Sequence, residues 1–119
     1  MKIIRGDIIY VELGQHVKSS VQSGLRPCIV VSNNKANRES KTLCAVPCTS
    51  RLGKQNIPTH VLITRSDVFG YLERDSVALA EQITTVDKSK VISKVGHLNE
   101  KCMELVDKAV YRQIFELLA

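Results

Sequence analysis

The chain is predicted to fold as a compact, mostly β (α+β) barrel with one helix packed on it. Two observations predict this class. Five or six short runs rich in β-forming residues follow one another between polar connections, and only the last segment repeats its apolar residues at helical spacing. Such an order is typical of a small β domain closed by a helix. Neither internal repeats nor an interdomain linker is visible, so residues 1–119 are expected to form a single domain.

The first half of the chain contains the most strongly apolar strands. Residues 6–13 predict the first strand, and the long polar connection 14–25 that follows is of a length that usually indicates function or mobility. Residues 28–32 predict a buried strand that begins after Arg26 and Pro27. Residues 33–41 are polar and are compatible with one helical turn.

Residues 42–49 predict the next strand, in which Pro47 favours an edge position or a bulge. A basic loop over 50–56 separates it from a strand over 60–64. We expect a turn around residues 69–70, then strands over 76–83 and 91–98. Together these runs complete the β part of the domain.

The final segment predicts the long helix. Asn99 is a suitable N-cap, and Glu100 lies in the first turn, where the helix dipole favours a negative charge. An apolar face then recurs every three to four residues. It consists of Met103, Val106, Val110, Ile114 and Leu117.

Composition limits the possible functions. The net charge is +5, and residues 1–60 carry nine Lys/Arg against three Asp/Glu, a charge of +6, so a basic face for a polyanion or an acidic protein is indicated. No apolar run has the length of a signal peptide or a membrane span, and we expect a cytoplasmic protein without membrane contact.

The four cysteines and three histidines do not form a ligand pattern. Cys28, Cys44, Cys48 and Cys102 lie singly within apolar stretches, as small buried hydrophobic residues in reduced form do. The histidines are scattered, and neither a phosphate-binding glycine motif nor a known nucleophile motif is present. Neither a metal nor a cofactor is therefore expected.

Polar residues at strand ends are the remaining candidates for chemistry. Arg26 can bind a phosphate through two parallel hydrogen bonds, although a surface salt bridge is its more common role. Thr49 and Ser50 end a strand beside a basic loop, where they can either bind phosphate or form a turn. Glu81 can accept a proton and Gln82 can read a base edge, but Glu81 can equally be an outward-facing strand carboxylate.

His60 is not a clear candidate for a base, and the aromatic residues are few. Recognition of a nucleic acid would therefore rest on hydrogen bonds and phosphate contacts. A single His at the start of a strand, as His60 is, is more often a structural residue than a base, whereas His16 is better placed by lying in the long connection. Aromatic residues are sparse, so a broad platform for base stacking is not expected.

Taken together, six segments in order resemble the MazF/PemK (Kid) toxin family. They are Arg-Gly-Asp-Ile-Ile-Tyr at 5–10, Gln-Ser-Gly-Leu-Arg-Pro at 22–27, Cys-Thr-Ser at 48–50, Pro-Thr-His-Val at 58–61, Glu-Arg-Asp-Ser-Val at 73–77 and Glu-Gln-Ile-Thr-Thr-Val-Asp at 81–87. The resemblance extends from about residue 5 into the final helix.

The resemblance implies an SH3-like barrel of the CcdB/PemK kind, a symmetric homodimer and an acidic antitoxin partner. It also implies metal-independent, sequence-specific cleavage of single-stranded RNA to 2′,3′-cyclic phosphate and 5′-hydroxyl ends. Arg26 and Thr49 would be the catalytic pair, and Glu81 a weaker candidate for the base. The implied RNA-binding positions are Ser20, Gln22, Gly24, Ser50, Arg51, Lys54, Ile57, His60, Gln82 and Thr84.

Two alternatives accompany this interpretation, and the sequence departs from the family pattern at several positions. A gyrase poison of the CcdB kind would share the fold without cleaving RNA, and a plain RNA-binding module would leave RNA whole. Ser20 stands where some relatives have His, and Thr84 replaces an Arg of the family pattern. The second change removes one positive charge and is expected to alter the recognised RNA sequence.

Overall fold

The computed structural model describes residues 1–53 and 57–115. The described elements are the strands β1 (Asp7–Glu12), β2 (Leu25–Val30), β3 (Thr42–Thr49), β4 (His60–Ile63), β5 (Val68–Gly70), β6 (Ser76–Leu79), β7 (Thr84–Asp87) and β8 (Val91–Leu98), and the helices α1 (Asn34–Glu39) and α2 (Glu100–Ile114). Three short 3₁₀ turns are Arg65–Asp67, Ala80–Gln82 and Lys88–Lys90.

All eight described strands belong to one antiparallel sheet. Its order is β4-β6-β3-β2-β1-β8-β5, and β7 pairs with the first half of β3. The sheet curls into a half-barrel, and α2 packs against it. The predicted mostly β class with a C-terminal helix is therefore confirmed.

The central strands β1 to β3 contain runs of consecutive apolar residues because both of their faces are covered there. Ile8 and Ile29 face a core that includes residues of α2, whereas their neighbours Ile9 and Cys28 face a second apolar cluster with Val86. Side chains alternate between the two faces of a strand, so both clusters draw on the same three strands, β1 to β3. This explains why these strands were readable from sequence.

Helix α2 begins as predicted, and Met103, Val106 and Val110 of its predicted apolar face lie in or against the core. The Asn99 side chain accepts a hydrogen bond from the Cys102 N–H at 2.8 Å, which confirms the N-cap. The buried row consists of Cys102, Val106 and Ala109. Ile114 is 56% exposed, so its assignment to the core is wrong, and Leu117 lies outside the described residues. Helical spacing does not reveal where a helix leaves the sheet that it covers.

Several observed strand boundaries differ from the predicted ones because they depend on pairing across the sheet. Strand β2 begins at Leu25, three residues early, because Leu25 and Arg26 pair with β1. The strand predicted over 76–83 ends at Leu79 and continues as a 3₁₀ turn, and β7 follows where no strand was predicted. The turn expected at residues 69–70 is wrong, since this segment is strand β5, paired with β8. The partners in these pairs are far apart in sequence.

Pro47 lies in an interior strand, so the edge position that it favoured is wrong. Strand β3 pairs with β2 on one side, and on the other side with β7 up to Ala45 and with β6 from Cys48. Pro47 falls in the gap between these two partners, where its missing N–H interrupts neither of the two ladders. Among the described residues, no helix is long and apolar enough to cross a membrane.

Candidate functional site

Strand register brings the two principal candidates, Arg26 and Thr49, to the same place. Strands β2 and β3 pair with Cys28 opposite Pro47. Continuing this antiparallel register by two residues sets Arg26 opposite Thr49, with both side chains on one face. Residues 23 positions apart in the chain therefore meet at the ends of two interior strands.

The two side chains line a cavity of about 530 Å³. One wall consists of strand residues together with the segment that follows β3, and the other is formed by the connection between β1 and β2. Other lining residues are Ser19, Ser20, Val21, Gln22, Ser23, Ser50, Arg51, Gly53, His60, Val77 and Leu79. The described lining contains two arginines and no carboxylate, so the cavity suits an anionic ligand.

The Arg26 guanidinium is held at one end and available at the other. Its Nε–H donates to the Ser23 carbonyl at 3.0 Å, which orients the planar group. Within residues 1–53 and 57–115, no carboxylate oxygen lies within ion-pair distance of it. The two terminal nitrogens can therefore donate to a bound phosphate. The alternative interpretation of Arg26, a surface salt bridge, finds no support in these contacts.

The Thr49 hydroxyl is oriented to donate. Its Oγ1 accepts a hydrogen bond from the Arg51 backbone N–H at 3.2 Å. The hydroxyl proton stays available for an acceptor in the cavity, since Ser and Thr hydroxyls both donate and accept. Ser50 and Arg51 are exposed beside it, so the short Thr49–Arg51 segment presents hydroxyl and guanidinium groups together.

The connection between β1 and β2 is closed at its base and tethered at its middle. Gly24 exchanges backbone hydrogen bonds with Leu13 and Gly14 at 2.9 and 2.8 Å, and both glycines have positive φ. Further along, Gln82 Nε2 donates to the Ser20 carbonyl at 3.0 Å, and Gln82 Oε1 accepts the Gln22 N–H at 3.3 Å. Gly24 thus shapes the connection, and Gln82 holds it over the sheet.

Glu81 does not line the cavity but is bound to a residue that does. Its Oε2 lies 2.7 Å from His60 Nε2, and its Oε1 accepts the Thr59 hydroxyl at 2.9 Å. Partial burial acts to raise the pKa of Glu81, but hydrogen bonds from His60, its own backbone N–H and Thr59 outweigh it and lower that pKa below the usual value. Glu81 is therefore ionised at neutral pH and is a weak proton acceptor.

A second cavity of about 330 Å³ lies on the other side of Gln22 and Val21. Thr84 and Gln82 line it, together with His16 from the connection and Lys90. The Gln22 side-chain oxygen Oε1 is buried without a hydrogen-bond partner among the described residues. A buried acceptor without a donor is costly, so this atom favours a ligand that brings an N–H or O–H group.

A third cavity of about 240 Å³ adjoins Arg26 on a further side and was missed in the sequence. Tyr10, Glu73 and Arg74 contribute to it, and Ser50 borders both this cavity and the first one. Burial and the nearby Glu73 carboxylate raise the pKa of Tyr10, so its phenol stays protonated. The Glu-Arg-Asp segment at 73–75 was a sequence signal for this region, but its position beside Arg26 depends on the fold.

Four of the described binding candidates do not line the first cavity; Gln82 and Thr84 line the second one, and Gly24 and Ile57 line neither. Gly24 borders none of the three described cavities and acts through backbone shape. Ile57 is 37% exposed and also lies outside these linings. Lys54 lies outside the described residues.

The cysteines match their predicted structural role. Cys28, Cys48 and Cys102 are buried, Cys44 is partly buried, and all four are free. Burial raises the pKa of Cys28 to about 12 and that of Cys102 to about 11, so these thiols stay protonated and unreactive. In the described part of the chain, no three His, Cys, Asp or Glu residues cluster in a way that would hold a metal ion.

Comparison with known sequences places these features in a family. A sequence model described as PemK-like, MazF-like toxin of type II toxin-antitoxin system matches residues 4–114. Endoribonuclease EndoA of Bacillus subtilis is 40% identical over 110 residues, which are 92% of each chain. Endoribonuclease MazF of Staphylococcus saprophyticus is 39% identical over 106 residues, 89% of this chain and 86% of the other.

Solved structures have the same fold. A mycobacterial endoribonuclease in complex with its cognate antitoxin is 25% identical, with a TM-score of 0.76 over 94% of each chain. MazF from Deinococcus radiodurans is 19% identical and also has a TM-score of 0.76, covering 94% of this chain and 96% of the other. The fold match therefore holds where little sequence identity remains.

Proposed function

This chain belongs to the PemK-like, MazF-like toxin family of type II toxin-antitoxin systems, and we propose that it is a sequence-specific endoribonuclease. The substrate is single-stranded RNA in the cytoplasm, cleaved by one toxin domain without a metal ion. Support comes from the relatives named as endoribonucleases at about 40% identity. These matches do not favour a gyrase poison of the CcdB kind.

The observation that carries the proposal is the pairing of Arg26 and Thr49 in an anion-suited cavity. The ribose 2′-hydroxyl attacks the adjacent phosphorus, and the 5′-oxygen leaves, so the products are a 2′,3′-cyclic phosphate and a 5′-hydroxyl. Two terminal nitrogens of Arg26 bind the nonbridging oxygens and stabilise the charge that grows on them. The Thr49 hydroxyl donates to one of these oxygens.

Recognition of the RNA sequence is assigned to the connection between β1 and β2 and its surroundings. The buried Gln22 Oε1 has no donor among the described residues, so it suits a base with an exocyclic amino group. Ser20, Ser50 and Arg51 line the same cavity as Arg26 and contribute hydroxyl and phosphate contacts. Thr84 lies in the second cavity, where it can contact a neighbouring nucleotide. Gly24, Lys54, Ile57, His60 and Gln82 stay proposed contributors to RNA binding.

Digestion of a long RNA in the presence of a chelator tests the activity. Defined fragments that end in a cyclic phosphate support the proposal, and mapping their ends gives the recognised sequence. A substrate with a 2′-deoxyribose at the cleaved position should bind and stay whole, because the attacking hydroxyl is missing. Intact natural RNA under all conditions would reject the proposal, and gyrase arrest in the same preparations would favour the alternative.

We also propose that an acidic antitoxin segment binds over the RNA cavity. Structural neighbours include a toxin solved with its antitoxin, and the cavity contains Arg26 and Arg51 without a carboxylate. Binding should weaken as salt rises, and the antitoxin should displace an RNA analogue. Simultaneous binding of both ligands without loss of affinity would contradict a shared site.

The active form is proposed to be a homodimer. A cavity of about 530 Å³ is too small for several nucleotides, so a second protomer is needed to extend the groove. Helix α2 and its C-cap residue also leave large apolar side chains exposed, and such a patch is typical of an interface. They are Leu105, Tyr111, Ile114 and Phe115. Light scattering at micromolar concentration should give the mass of a dimer, and a monomer would count against this proposal.

A further inference from the structure

We propose that His60 is the general base of RNA cleavage and that Glu81 is the positioning residue that holds its imidazole ring. The assignment rests on the proposed ribonuclease function and supplies the proton acceptor that Arg26 and Thr49 do not provide. It replaces Glu81 as the candidate base.

The first support is the location of His60. It begins β4 and lines the cavity that contains Arg26 and Thr49, with 22% of its side chain exposed. Glu81 does not line this cavity. A proton acceptor must come within hydrogen-bond reach of the reacting hydroxyl, and of these two residues only His60 lines the cavity that would hold it.

The second support is a chain of hydrogen bonds that orients the ring. The Glu81 carboxylate is anchored through Oε1 by the Thr59 hydroxyl at 2.9 Å and meets His60 Nε2 through Oε2 at 2.7 Å. Thr59 and His60 are consecutive, so one carboxylate bridges the backbone segment and the ring. A carboxylate that orients an imidazole in this way is a recurrent support for catalytic histidines.

The bound carboxylate also selects the tautomer of His60. The pKa of Glu81 is lowered, so this group is ionised and can only accept hydrogen bonds. In the neutral ring Nε2 must therefore carry the proton, and Nδ1 keeps its lone pair. No residue in 1–53 or 57–115 hydrogen-bonds Nδ1. This atom is free to accept a proton from a substrate.

The proton transfer balances without a further reactant except water. Nδ1 of His60 takes the proton of the ribose 2′-hydroxyl while the 2′-oxygen forms its bond to phosphorus. The bond between phosphorus and the 5′-oxygen breaks, and the leaving oxygen takes a proton from solvent. The imidazolium then returns its proton to solvent, so no net proton is gained or lost.

Single-turnover cleavage by matched variants distinguishes the two candidate bases. His60→Gln keeps an N–H for Glu81 but removes the base, and the rate should fall by roughly 10²- to 10⁴-fold. Glu81→Gln can offer the ring either its amide oxygen or its NH₂ group and no longer fixes the tautomer, so its rate should fall, but less than that of His60→Gln. Glu81→Ala, which removes the partner of the ring, should also keep more activity than His60→Gln. The opposite pattern, a slow Glu81→Gln and a near-wild-type His60→Gln, would overturn the assignment.

Chemical rescue gives a readout that a structural role would not change. Free imidazole should accelerate His60→Ala severalfold by entering the vacated space, and it should leave wild type and Arg26→Ala unchanged. Absence of rescue together with an unaltered rate of His60→Ala would overturn the assignment.

The outcomes separate this inference from the function on which it rests. Wild-type cleavage that depends on Arg26 but not on His60 rejects only the base assignment. Wild-type protein that leaves RNA whole rejects the ribonuclease proposal and this inference together.

Discussion

The two walls of the first cavity, which contains Arg26 and Thr49, are built differently. Arg26 and Thr49 are strand residues, placed by the pairing of β2 with β1 and of β3 with β2 and β6. Ser20 and Gln22 belong to the connection between β1 and β2, whose middle is held by the Gln82 amide. Groups that stabilise charge need fixed positions, whereas groups that read bases can adapt. The difference predicts that the strand wall determines rate and the connection determines affinity and sequence preference.

The largest effect is expected at Arg26. Arg26→Ala should lower the single-turnover rate by roughly two to three orders of magnitude, the usual cost of losing a preorganised donor to a developing charge. Arg26→Lys should recover little, since an ammonium lacks the planar fork. RNA affinity should fall less than the rate because other contacts remain.

Arg51→Ala is the matched control, because Arg51 lines the same cavity and is exposed. It should weaken binding and leave the rate at saturating RNA close to wild type. Melting temperatures measured on the same preparations test a structural role for Arg26. Near-wild-type cleavage by Arg26→Ala would reject the assignment of the strand wall to catalysis.

A smaller loss of rate is expected at Thr49. Thr49→Ala should slow cleavage roughly tenfold, since a neutral hydroxyl contributes less than a charged donor. Thr49→Ser keeps the hydroxyl and should stay closer to wild type. If the Ala and Ser variants cleaved equally slowly, the methyl group and its packing, rather than the hydroxyl, would be responsible.

Gln82 tests the other wall. Gln82→Ala removes both hydrogen bonds to the connection, and the half-saturating RNA concentration should rise roughly three- to tenfold, as expected for one or two neutral hydrogen bonds. The saturated rate should change less, because Arg26 and Thr49 do not depend on this tether. A variant that loses rate but keeps affinity would reverse the roles of the two walls.

The smallest effect concerns the dependence of stability on pH. The pKa of Glu81 is lowered in the folded state, so its stabilising contribution is present above the unfolded value near 4.5 and is lost as pH falls through the folded value. About a third of the side chain is exposed, which limits the contribution to well under about 1 kcal/mol. The melting temperature of the wild type should therefore fall slightly more steeply on acidification than that of Glu81→Gln. Parallel curves would mean that the hydrogen bonds of Glu81 do not stabilise the fold.

Much of the fold was predictable because several elements are specified locally. Strand β3 over Thr42–Thr49 and strand β8 over Val91–Leu98 have the predicted bounds, and the Asn99 cap marks the start of α2. Strands β5 and β7 were missed because they are short and depend on β8 and β3 for their hydrogen bonds. Gly70 in β5 illustrates how closely β5 approaches β8. A Cβ at this position would lie 2.5 Å from the Val95 carbonyl oxygen, so the pairing requires glycine there.

The sequence by itself determined the mostly β class, the helix at the end and the residue types available for phosphate chemistry. Periodicity and capping are local properties, and the family motifs are contiguous, so both can be read along the chain. Only the tertiary structure decided which residues meet. Glu81 became the partner of His60, and Gln82 the tether of the connection, because a 3₁₀ turn follows β6 and directs their side chains to different neighbours. Such contacts join residues 21 to 62 positions apart, a distance over which sequence spacing carries no geometry.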